Sequence, residues 1–319
     1  MASLIRVVPG EDPGIRRVRA GTGFRYLNAS GDAVSKAERE RIDRLVIPPA
    51  WEDVWISAQE RGHIQAVGTD AAGRRQYVYH PRWRAGRDRR KFVRMLALAE
   101  ALPRARAQVT TALAGEAIDR TRVLAASFRL LDDAALRIGA ARYLARHGSR
   151  GLTTLQCRDV RITEAVLTLR FPGKSGKLAS IEIDDAQLAT VLTALAAGRP
   201  RSPLLAYRSG RRRVRIRASE VNTYVGELTG AKFTAKDFRT LHGTIVAAKE
   251  LSEIGVAATV RERKRAEKRA VTLAAKALGN TPAVAKGSYI DPRVFREYAK
   301  GHLLDRDVTA ETAIRRLLM

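Results

Sequence analysis

The segment RTRVLAASFRLLDDAALRI, residues 120–138, decides the fold class of most of the chain. Its apolar positions recur at intervals of four and three residues, at Leu124, Phe128, Leu131, Ala135 and Ile138. Side chains at this spacing lie on one face of an α-helix, so the segment predicts a helix with one buried face. The helical pattern continues to residue 147, where Gly148 is a typical end.

Upstream of this helix the pattern changes at Pro81. Residues 1–90 contain four short stretches that are β-branched or aromatic and separated by turn residues, which predicts strands. These stretches are FRYLN (24–28), VWISA (54–58), HIQAVGTD (63–70) and RRQYVYH (74–80). A single helix is predicted from Ser35 to Leu45. Alanine- and leucine-rich segments with helical spacing begin at Pro81.

Downstream of Gly148 the sequence predicts one antiparallel hairpin, AVLTLRF (165–171) and LASIEI (178–183), joined by the turn PGKSGK. Further helices are predicted at about 184–197, 218–228, 235–250, 258–277, 282–287, 292–300 and 309–318. The polar, basic segment GRDRRK (86–91) marks the domain boundary. We therefore predict an α+β protein with a small β-rich domain at residues 1–88. A larger, mainly helical domain follows at residues 89–319 and contains the hairpin.

The charge of the chain points to a polyanionic partner. There are 59 Lys+Arg against 33 Asp+Glu, a formal net charge of +26. A folded protein tolerates such self-repulsion best when a polyanion neutralises it, and the planar fork of arginine suits phosphate. The charge is spread along the chain rather than on one amphipathic helix, which favours DNA or RNA over an anionic membrane.

Other classes of protein are disfavoured by what the sequence lacks. No segment nears the length of a membrane span, and the start MASLIRVVPGEDPGIRR has no apolar run typical of a signal peptide. The single cysteine, Cys157, excludes an internal disulfide and a cysteine-rich metal site. No HExxH motif is present, and PGKSGK lacks the glycine spacing of a phosphate-binding loop. We expect a cytoplasmic protein without a cofactor or metal.

The stretch LGNTPAVAKGSYIDP, residues 278–292, places a tyrosine between two helix starts. Thr281 and Asp291 are each followed by proline, the typical N-cap and first helical residue. Tyr289 lies just before the second start and after Gly287, a natural helix stop. A tyrosine there is either a packing residue or a hydroxyl presented for chemistry.

A tyrosine nucleophile needs cationic neighbours. The phenol has a pKa of about 10, so only about one molecule in a thousand is ionised at neutral pH. Positive charges lower that pKa and also stabilise the extra negative charge on a phosphodiester transition state. The departing alkoxide then needs a proton from a positioned acid. The chemistry thus requires a tyrosine, two arginines and a lysine or histidine on rigid elements.

Four segments, in this order along the chain, carry these residue types: LLDDAALRIGAARYL (130–144), FPGKSGK (171–177), KDFRTLHG (236–243) and NTPAVAKGSYI (280–290). Together they resemble the type IB DNA topoisomerases of the poxvirus-like, bacterial kind. The resemblance implies the catalytic fold that this family shares with the tyrosine recombinases. It also implies five catalytic residues: Arg137, Lys174, Arg239, Asn280 and Tyr289.

The roles that the resemblance implies are distinct. Tyr289 would attack the scissile phosphate, Arg137, Arg239 and Asn280 would hold its nonbridging oxygens, and Lys174 would be the general acid. The family acts on duplex DNA without ATP. The protein would close around the duplex as a monomeric, nucleoid-associated clamp.

DNA contacts are also implied. The segment GTDAAGRRQYVYH (68–80) resembles the family's DNA-reading strand, with Gln76, Tyr77 and Tyr79. Tyr143 matches a base-contacting tyrosine, and Lys236 stands where recombinases carry the histidine of His-x-x-Arg. We expect the basic runs RRRVRIR (211–217) and RERKRAEKR (261–269) to meet backbone phosphates, although solvated faces would also explain them.

Two departures from the family pattern concern Asn280 and Ala140. Viral members carry histidine where this chain has Asn280; an amide still donates a hydrogen bond but cannot be cationic. They also carry a lysine where this chain has Ala140, which puts their preference for a pyrimidine-rich site in doubt here.

Some of these residues, taken singly, also have a purely structural explanation. Arg137 lies four residues after Asp133, and Lys174 lies in a turn, so a surface ion pair and an exposed lysine would explain them. The alternative functions are a tyrosine recombinase and a non-enzymatic nucleic-acid-binding protein.

Overall fold

A computed structural model describes the backbone at residues 3–163 and 166–319, with all side chains of these residues except 142, 143 and 175. The chain divides into two units, Met1–Arg90 and Lys91–Met319. The first is built on an antiparallel sheet, and the second is mainly helical with two small sheets. The predicted α+β class is confirmed.

Five strands form the sheet of the first unit: β1 (Gly14–Ala20), β2 (Gly23–Leu27), β3 (Glu52–Ser57), β4 (Ile64–Thr69) and β5 (Arg75–Tyr79). Their spatial order is β2-β1-β3-β4-β5, so β5 is an edge strand. Ile42 of the helix α1 (Lys36–Asp43) packs with Ile15, Tyr26 and Ile56 of the sheet. Ser35 caps α1 by accepting a hydrogen bond from the backbone of Glu38.

Strand β1 was not among the predicted strands. Its sequence GIRRVRA contains three arginines, and Ile15 is its only buried residue. The alternation of apolar and polar residues that predicts a strand is therefore missing. The Arg17 guanidinium lies 4.2 Å from the ring centroid of Phe24 on the neighbouring strand. A charged side chain therefore packs on an aromatic ring here, where an apolar side chain would be expected in a typical strand.

The helices of the chain from Pro81 onward are these: α2 (Pro81–Leu113), α3 (Arg120–Ala134), α4 (Ala141–His147), α5 (Ala186–Ala196), α6 (Ala218–Thr229), α7 (Ala235–Ile254), α8 (Val260–Ala277), α9 (Pro282–Ser288), α10 (Arg293–Ala299) and α11 (Ala310–Leu318). The predicted boundary segment GRDRRK lies within α2. In the core of the second unit, the Phe128 and Phe238 rings meet edge to face at 5.4 Å. Within the described ranges, no helix combines the length and apolarity needed to cross a membrane.

The predicted hairpin is part of a three-stranded sheet of order β6-β7-β8, with β6 (Val160–Thr163), β7 (Val166–Pro172) and β8 (Leu178–Asp184). Pro172 pairs with Leu178, and a 3₁₀ turn at Lys174–Gly176 lies between them. Strands β9 (Ala206–Ser209) and β10 (Arg212–Arg215) form a separate hairpin. Cys157 is buried near the carbonyls of Leu195 and Pro203.

The single helix predicted for residues 120–147 is wrong. Helix α3 ends at Ala134, and Ala135 adopts the left-handed conformation with φ 46° and ψ 41°. The carbonyls of Arg137 and Ile138 accept hydrogen bonds from the backbone of Leu152 and Thr153 instead of continuing the helix. These tertiary bonds outweigh the helical periodicity and the cost of a left-handed alanine, about 1–2 kcal/mol. The break turns Arg137 out of the helix.

Candidate active site

Helix α7 carries two of the predicted site residues, Lys236 and Arg239. Its start is fixed by Thr234, whose backbone N–H donates to the Asp237 carboxylate at 2.8 Å. Arg94 of α2 also donates to that carboxylate, at 2.9 Å. The first turn of α7 is therefore held rigidly, with Lys236 exposed to solvent and Arg239 only 5% exposed.

Arg239 is held by two backbone carbonyls at the ends of other elements. Its Nη1 donates to the carbonyl of Ala135 at 2.7 Å, and its Nη2 donates to the carbonyl of Leu278 at 2.8 Å. Its guanidinium carbon lies 4.9 Å from the ring centroid of Tyr289. Among the described residues, no acceptor lies within reach of the buried Nε. The left-handed turn at Ala135 thus has a direct use, since it presents a carbonyl to Arg239.

Tyr289 is the C-cap residue of α9, and its N–H donates to the carbonyl of Ala285 at 2.9 Å. The predicted start of α9 is confirmed, because the Thr281 hydroxyl accepts from the backbone of Val284. The predicted stop at Gly287 is wrong, because the helix continues through Ser288. The tyrosine is half-buried at the end of a short helix.

Two residues of α7 fix the backbone at Tyr289. The Thr244 hydroxyl lies 3.2 Å from the Tyr289 carbonyl oxygen. Gly243 packs so closely that a Cβ there would lie 3.0 Å from the same oxygen. Neither residue was predicted as part of the site. A glycine in the middle of a helix is, however, a signal of close packing that the sequence contains.

The surroundings of Tyr289 favour its ionised form. Burial raises the pKa of the phenol, but the charge of Arg239, a hydrogen bond with Arg239, and the charges of Arg137 and Lys236 together lower it below its ordinary value. The net pKa is lowered because the three cations outweigh the desolvation. A phenol with a lowered pKa in a partly buried site has the properties required of a nucleophile.

Arg137 contacts the segment before α9 rather than its own helix. Its Nη2 donates to the Gly279 carbonyl at 3.0 Å and to the Asn280 Oδ1 at 2.5 Å. Burial, and next the charge of Arg239, lower the pKa of Arg137. The interpretation as a surface ion pair with Asp133 is not supported by these contacts.

Two hydrogen-bond donors in this group have no acceptor. They are the buried Nδ2 of Asn280 and the buried Nε of Arg239, which find no partner within the described part of the chain. Buried donors are normally satisfied, and each unpaired one costs about 1–3 kcal/mol. Two such donors beside two guanidinium groups fit an anion, which would accept their hydrogen bonds.

A cavity of about 200 Å³ lies beside these residues. Its cationic lining consists of Arg137, Arg150, Arg239 and Lys276, and Gly173 of the hairpin lines another side. Arg150 is paired with the buried Asp159 at 2.8 Å, so its positive charge in the cavity is partly neutralised. The cavity is therefore suited to a small anionic group.

Lys174 lies outside this group. It is exposed in the 3₁₀ turn of the hairpin, one residue after Gly173. No contact joins it to the other four predicted catalytic residues within the described ranges. The structure thus gathers Tyr289, Arg137, Arg239 and Asn280, with Lys236 close enough to act on the phenol, and leaves Lys174 at the hairpin tip.

The predicted DNA-reading residues of the first unit lie on the edge strand β5. Tyr77 is 41% exposed, and its ring stacks on Tyr79 with centroids 5.8 Å apart. The guanidinium of Arg87 lies 5.4 Å from the Tyr79 ring. Gln76 alternates to the other face of the strand, and its amide donates to Asp70 at 2.8 Å. The structure brings the two tyrosines together but does not place Gln76 with them. The side chain of Tyr143 lies outside the described residues.

The two basic runs are partly engaged within the protein. Residues Arg212–Arg215 of the first run form strand β10, and Ile216 is buried just beyond it. Arg213, however, donates to the carbonyls of Leu195 and Pro203 at 2.7 and 3.0 Å. In the second run, Arg269 pairs with the buried Glu250. These two arginines therefore bond within the protein, whereas most of the other basic side chains of the two runs are exposed: Arg211, Arg212 and Arg217, and Arg261, Lys264, Arg265 and Lys268.

A metal site is not evident in the part of the chain that the structure describes, which contains no group of three or more histidine, cysteine, aspartate or glutamate residues able to hold an ion.

Comparison with known proteins relates the chain to two family models and to a viral protein. The family model described as "Eukaryotic DNA topoisomerase I, catalytic core" matches residues 80–305. The family model described as "Bacterial DNA topoisomerase IB, N-terminal domain" matches residues 23–70. A protein of Acanthamoeba polyphaga mimivirus named "DNA topoisomerase 1B" is 30% identical over 285 residues, which cover 87% of this chain and 85% of the viral protein.

Proposed function

Because the chain belongs to the type IB DNA topoisomerase family and is therefore an isomerase that acts on DNA, we propose that it relaxes supercoiled duplex DNA through a transient 3′-phosphotyrosyl bond to Tyr289. One observation carries the proposal. The phenol of Tyr289 lies against Arg239, beside two buried donors that have no acceptor among the described residues. A phosphodiester would supply the missing acceptor oxygens.

The cleavage step exchanges one phosphodiester for another. The Tyr289 phenol loses its proton to solvent, and its oxygen attacks the scissile phosphorus. The new P–O bond forms as the bond to the 5′ oxygen of the next nucleotide breaks. The electron pair leaves with that oxygen, which takes a proton and becomes a 5′-hydroxyl.

The site residues would divide this work. Arg137, Arg239 and Asn280 hold the nonbridging oxygens, and preorganised donors of this kind are each worth about 10²–10³ in rate. Lys174 protonates the departing 5′ oxygen; its exposed position at the hairpin tip requires that the turn at residues 174–176 reaches the DNA in the complex. Lys236 lowers the pKa of the nucleophile in addition to contacting DNA.

Religation is the reverse of cleavage. The 5′-hydroxyl attacks the phosphotyrosyl phosphorus and releases the phenol after the broken strand has rotated about its partner. The phosphotyrosyl ester conserves the energy of the original bond, so the cycle needs no ATP. We further propose that no metal takes part, that the protein acts as a monomer, because one chain supplies all these side chains, and that the Tyr77–Tyr79 surface of the first unit reads the major groove.

Tyr289→Phe tests the proposal. It should abolish relaxation of a supercoiled plasmid in EDTA without ATP, and it should abolish the covalent protein–DNA adduct recovered after denaturation. DNA binding should remain, with the steep salt dependence of phosphate contacts. Tyr224→Phe, which removes a half-buried phenol hydroxyl from α6, is the matched control and should relax DNA normally. Relaxation by Tyr289→Phe would refute the proposal. Strand exchange between defined sites, in place of relaxation, would favour a recombinase.

A further inference from the structure

Arg293 joins two parts of the second unit directly after the Tyr289 segment. Its Nη2 pairs with the Asp291 carboxylate at 2.7 Å, and its Nε lies 3.0 Å from the same oxygen. Its Nη1 donates to the carbonyl of Leu318 at 2.7 Å. One guanidinium thus connects the turn that follows Tyr289 with the last turn of α11.

Asp291 is fixed on its other side by α7. Its side chain is almost fully buried, and its backbone N–H donates to the Thr244 hydroxyl at 3.1 Å. That hydroxyl also lies 3.2 Å from the Tyr289 carbonyl oxygen. A buried carboxylate is stable only when it is paired, so the position of Asp291 depends on Arg293.

Helix α11 is itself firmly anchored. Ile314 is fully buried in the core, and the Glu311 carboxylate accepts a hydrogen bond of 2.6 Å from Arg106. Arg106 also pairs with Asp132 of α3 at 2.7 Å. The Leu318 carbonyl is among the last four of the helix, which have no intrahelical partner, and an arginine there both pairs it and complements the helix dipole.

We propose that Arg293 is a positioning residue for DNA cleavage, which transmits the fixed position of α11 through Asp291 to Tyr289. The inference rests on the proposed function, in which Tyr289 is the nucleophile. Arg293 contacts neither the phenol nor the cationic cavity among the described residues, so its effect is indirect. It keeps the phenol at its distance from Arg239, and a displacement of about 1 Å at a reacting group can cost about 10² in rate.

The test replaces the buried ion pair without leaving a charge unpaired. In the double variant Asp291→Asn with Arg293→Gln, two amides can bond to each other, but the shorter side chain at 293 cannot also reach Leu318. Arg296→Gln is the matched control, because it removes the same charge from an exposed position on the same helix. The measurements are single-turnover cleavage of a nicked DNA duplex at several pH values, DNA affinity and melting temperature.

The double variant should cleave at least tenfold more slowly, with DNA affinity within twofold of the parent protein. Because the phenol moves away from Arg239, the rise of the rate with pH should also shift to higher pH. Arg296→Gln should change neither. A double variant that cleaves at the rate of Arg296→Gln, or that is slow without any shift of its pH profile, overturns the inference.

Two further measurements keep these outcomes interpretable. If the double variant melts below the assay temperature, Arg293→Lys replaces it; this variant keeps the charge beside Asp291 but cannot also bond to Leu318, and an unchanged rate overturns the inference. Tyr289→Phe separates the two proposals. An active Tyr289→Phe removes the proposed function, whereas an inactive Tyr289→Phe together with a fully active double variant removes only the role of Arg293.

Discussion

Arg137 and Asn280 lie 143 residues apart in the chain, and Nη2 of the first donates to Oδ1 of the second at 2.5 Å. A guanidinium has only donors, so this bond fixes the amide with its oxygen toward Arg137. The amide nitrogen is thereby turned away, and it is buried without an acceptor in the described part of the protein. The pair is thus arranged as two adjacent donors, one charged and one neutral.

Replacement of Asn280 should affect the reaction more than binding. Asn280→Ala removes one donor and should lower the single-turnover cleavage rate by about 10²–10³. Asn280→Asp should be slower still, because its carboxylate pairs with Arg137 and repels the phosphate. Asn280→His restores a donor and should recover part of the rate. Equal cleavage by the alanine and histidine variants would show that no donor is needed at this position.

The pH dependence of cleavage should report the cations around Tyr289. The phenolate is the reactive form, so the rate should rise with pH up to the lowered pKa of Tyr289 and then level off. Lys236→Gln removes one of the charges that lower this pKa. The rise should therefore shift to higher pH, with a lower rate at neutral pH and an unchanged plateau at saturating enzyme. The exposed Lys36→Gln on α1 is the charge-matched control, and an equal shift there would argue against a local effect.

Gly243→Ala should separate activity from stability. Glycine to alanine within a helix ordinarily stabilises a protein by about 1 kcal/mol. At this position the new Cβ would lie 2.9 Å from Leu278 Cδ1 and 3.0 Å from the Tyr289 carbonyl oxygen. These close contacts should cancel the gain in stability from the alanine and displace Tyr289, so the variant should cleave DNA clearly more slowly.

Gly226→Ala in α6 is the matched control, since its Cβ would meet only an ordinary contact of 3.5 Å. It should raise the melting temperature and leave cleavage unchanged. If both glycine variants cleave normally, close packing against Tyr289 has no catalytic importance.

Arg239→Lys should reduce both stability and activity although it conserves the charge. A lysine cannot donate to the carbonyls of Ala135 and Leu278 in the geometry of the planar fork. An unpaired buried carbonyl costs about 1–3 kcal/mol, so the melting temperature should fall. Cleavage should fall further, since the cation no longer lies over the Tyr289 ring. Arg212→Lys, at an exposed position of strand β10, should change neither property.

The sequence predicted those parts of the fold in which local pattern and tertiary packing agree. Thr281 is a typical N-cap before proline, and the structure has that cap. The single helix predicted for residues 120–147 was wrong, because the carbonyls of Arg137 and Ile138 accept backbone hydrogen bonds from Leu152 and Thr153 instead of continuing the helix. No local pattern encodes such distant bonds.

The candidate site shows the same limit. The resemblance of four ordered segments to the topoisomerase family implied five catalytic candidates, and four of these five lie together. The supporting residues Thr244, Asp291 and Arg293 could not be found in this way, because their importance depends on contacts between α7, α10 and α11. The unpaired Nδ2 of Asn280 likewise becomes evident only when its surroundings are known.

The burial of Cys157 makes the protein suitable for thiol chemistry at chosen positions. It is the only cysteine of the chain, and it is 6% exposed. Maleimide dyes should therefore attach almost exclusively to introduced surface cysteines. A pair such as Lys36→Cys and Lys300→Cys, one in each unit, would allow fluorescence energy transfer in single molecules to test whether DNA changes the distance between the units.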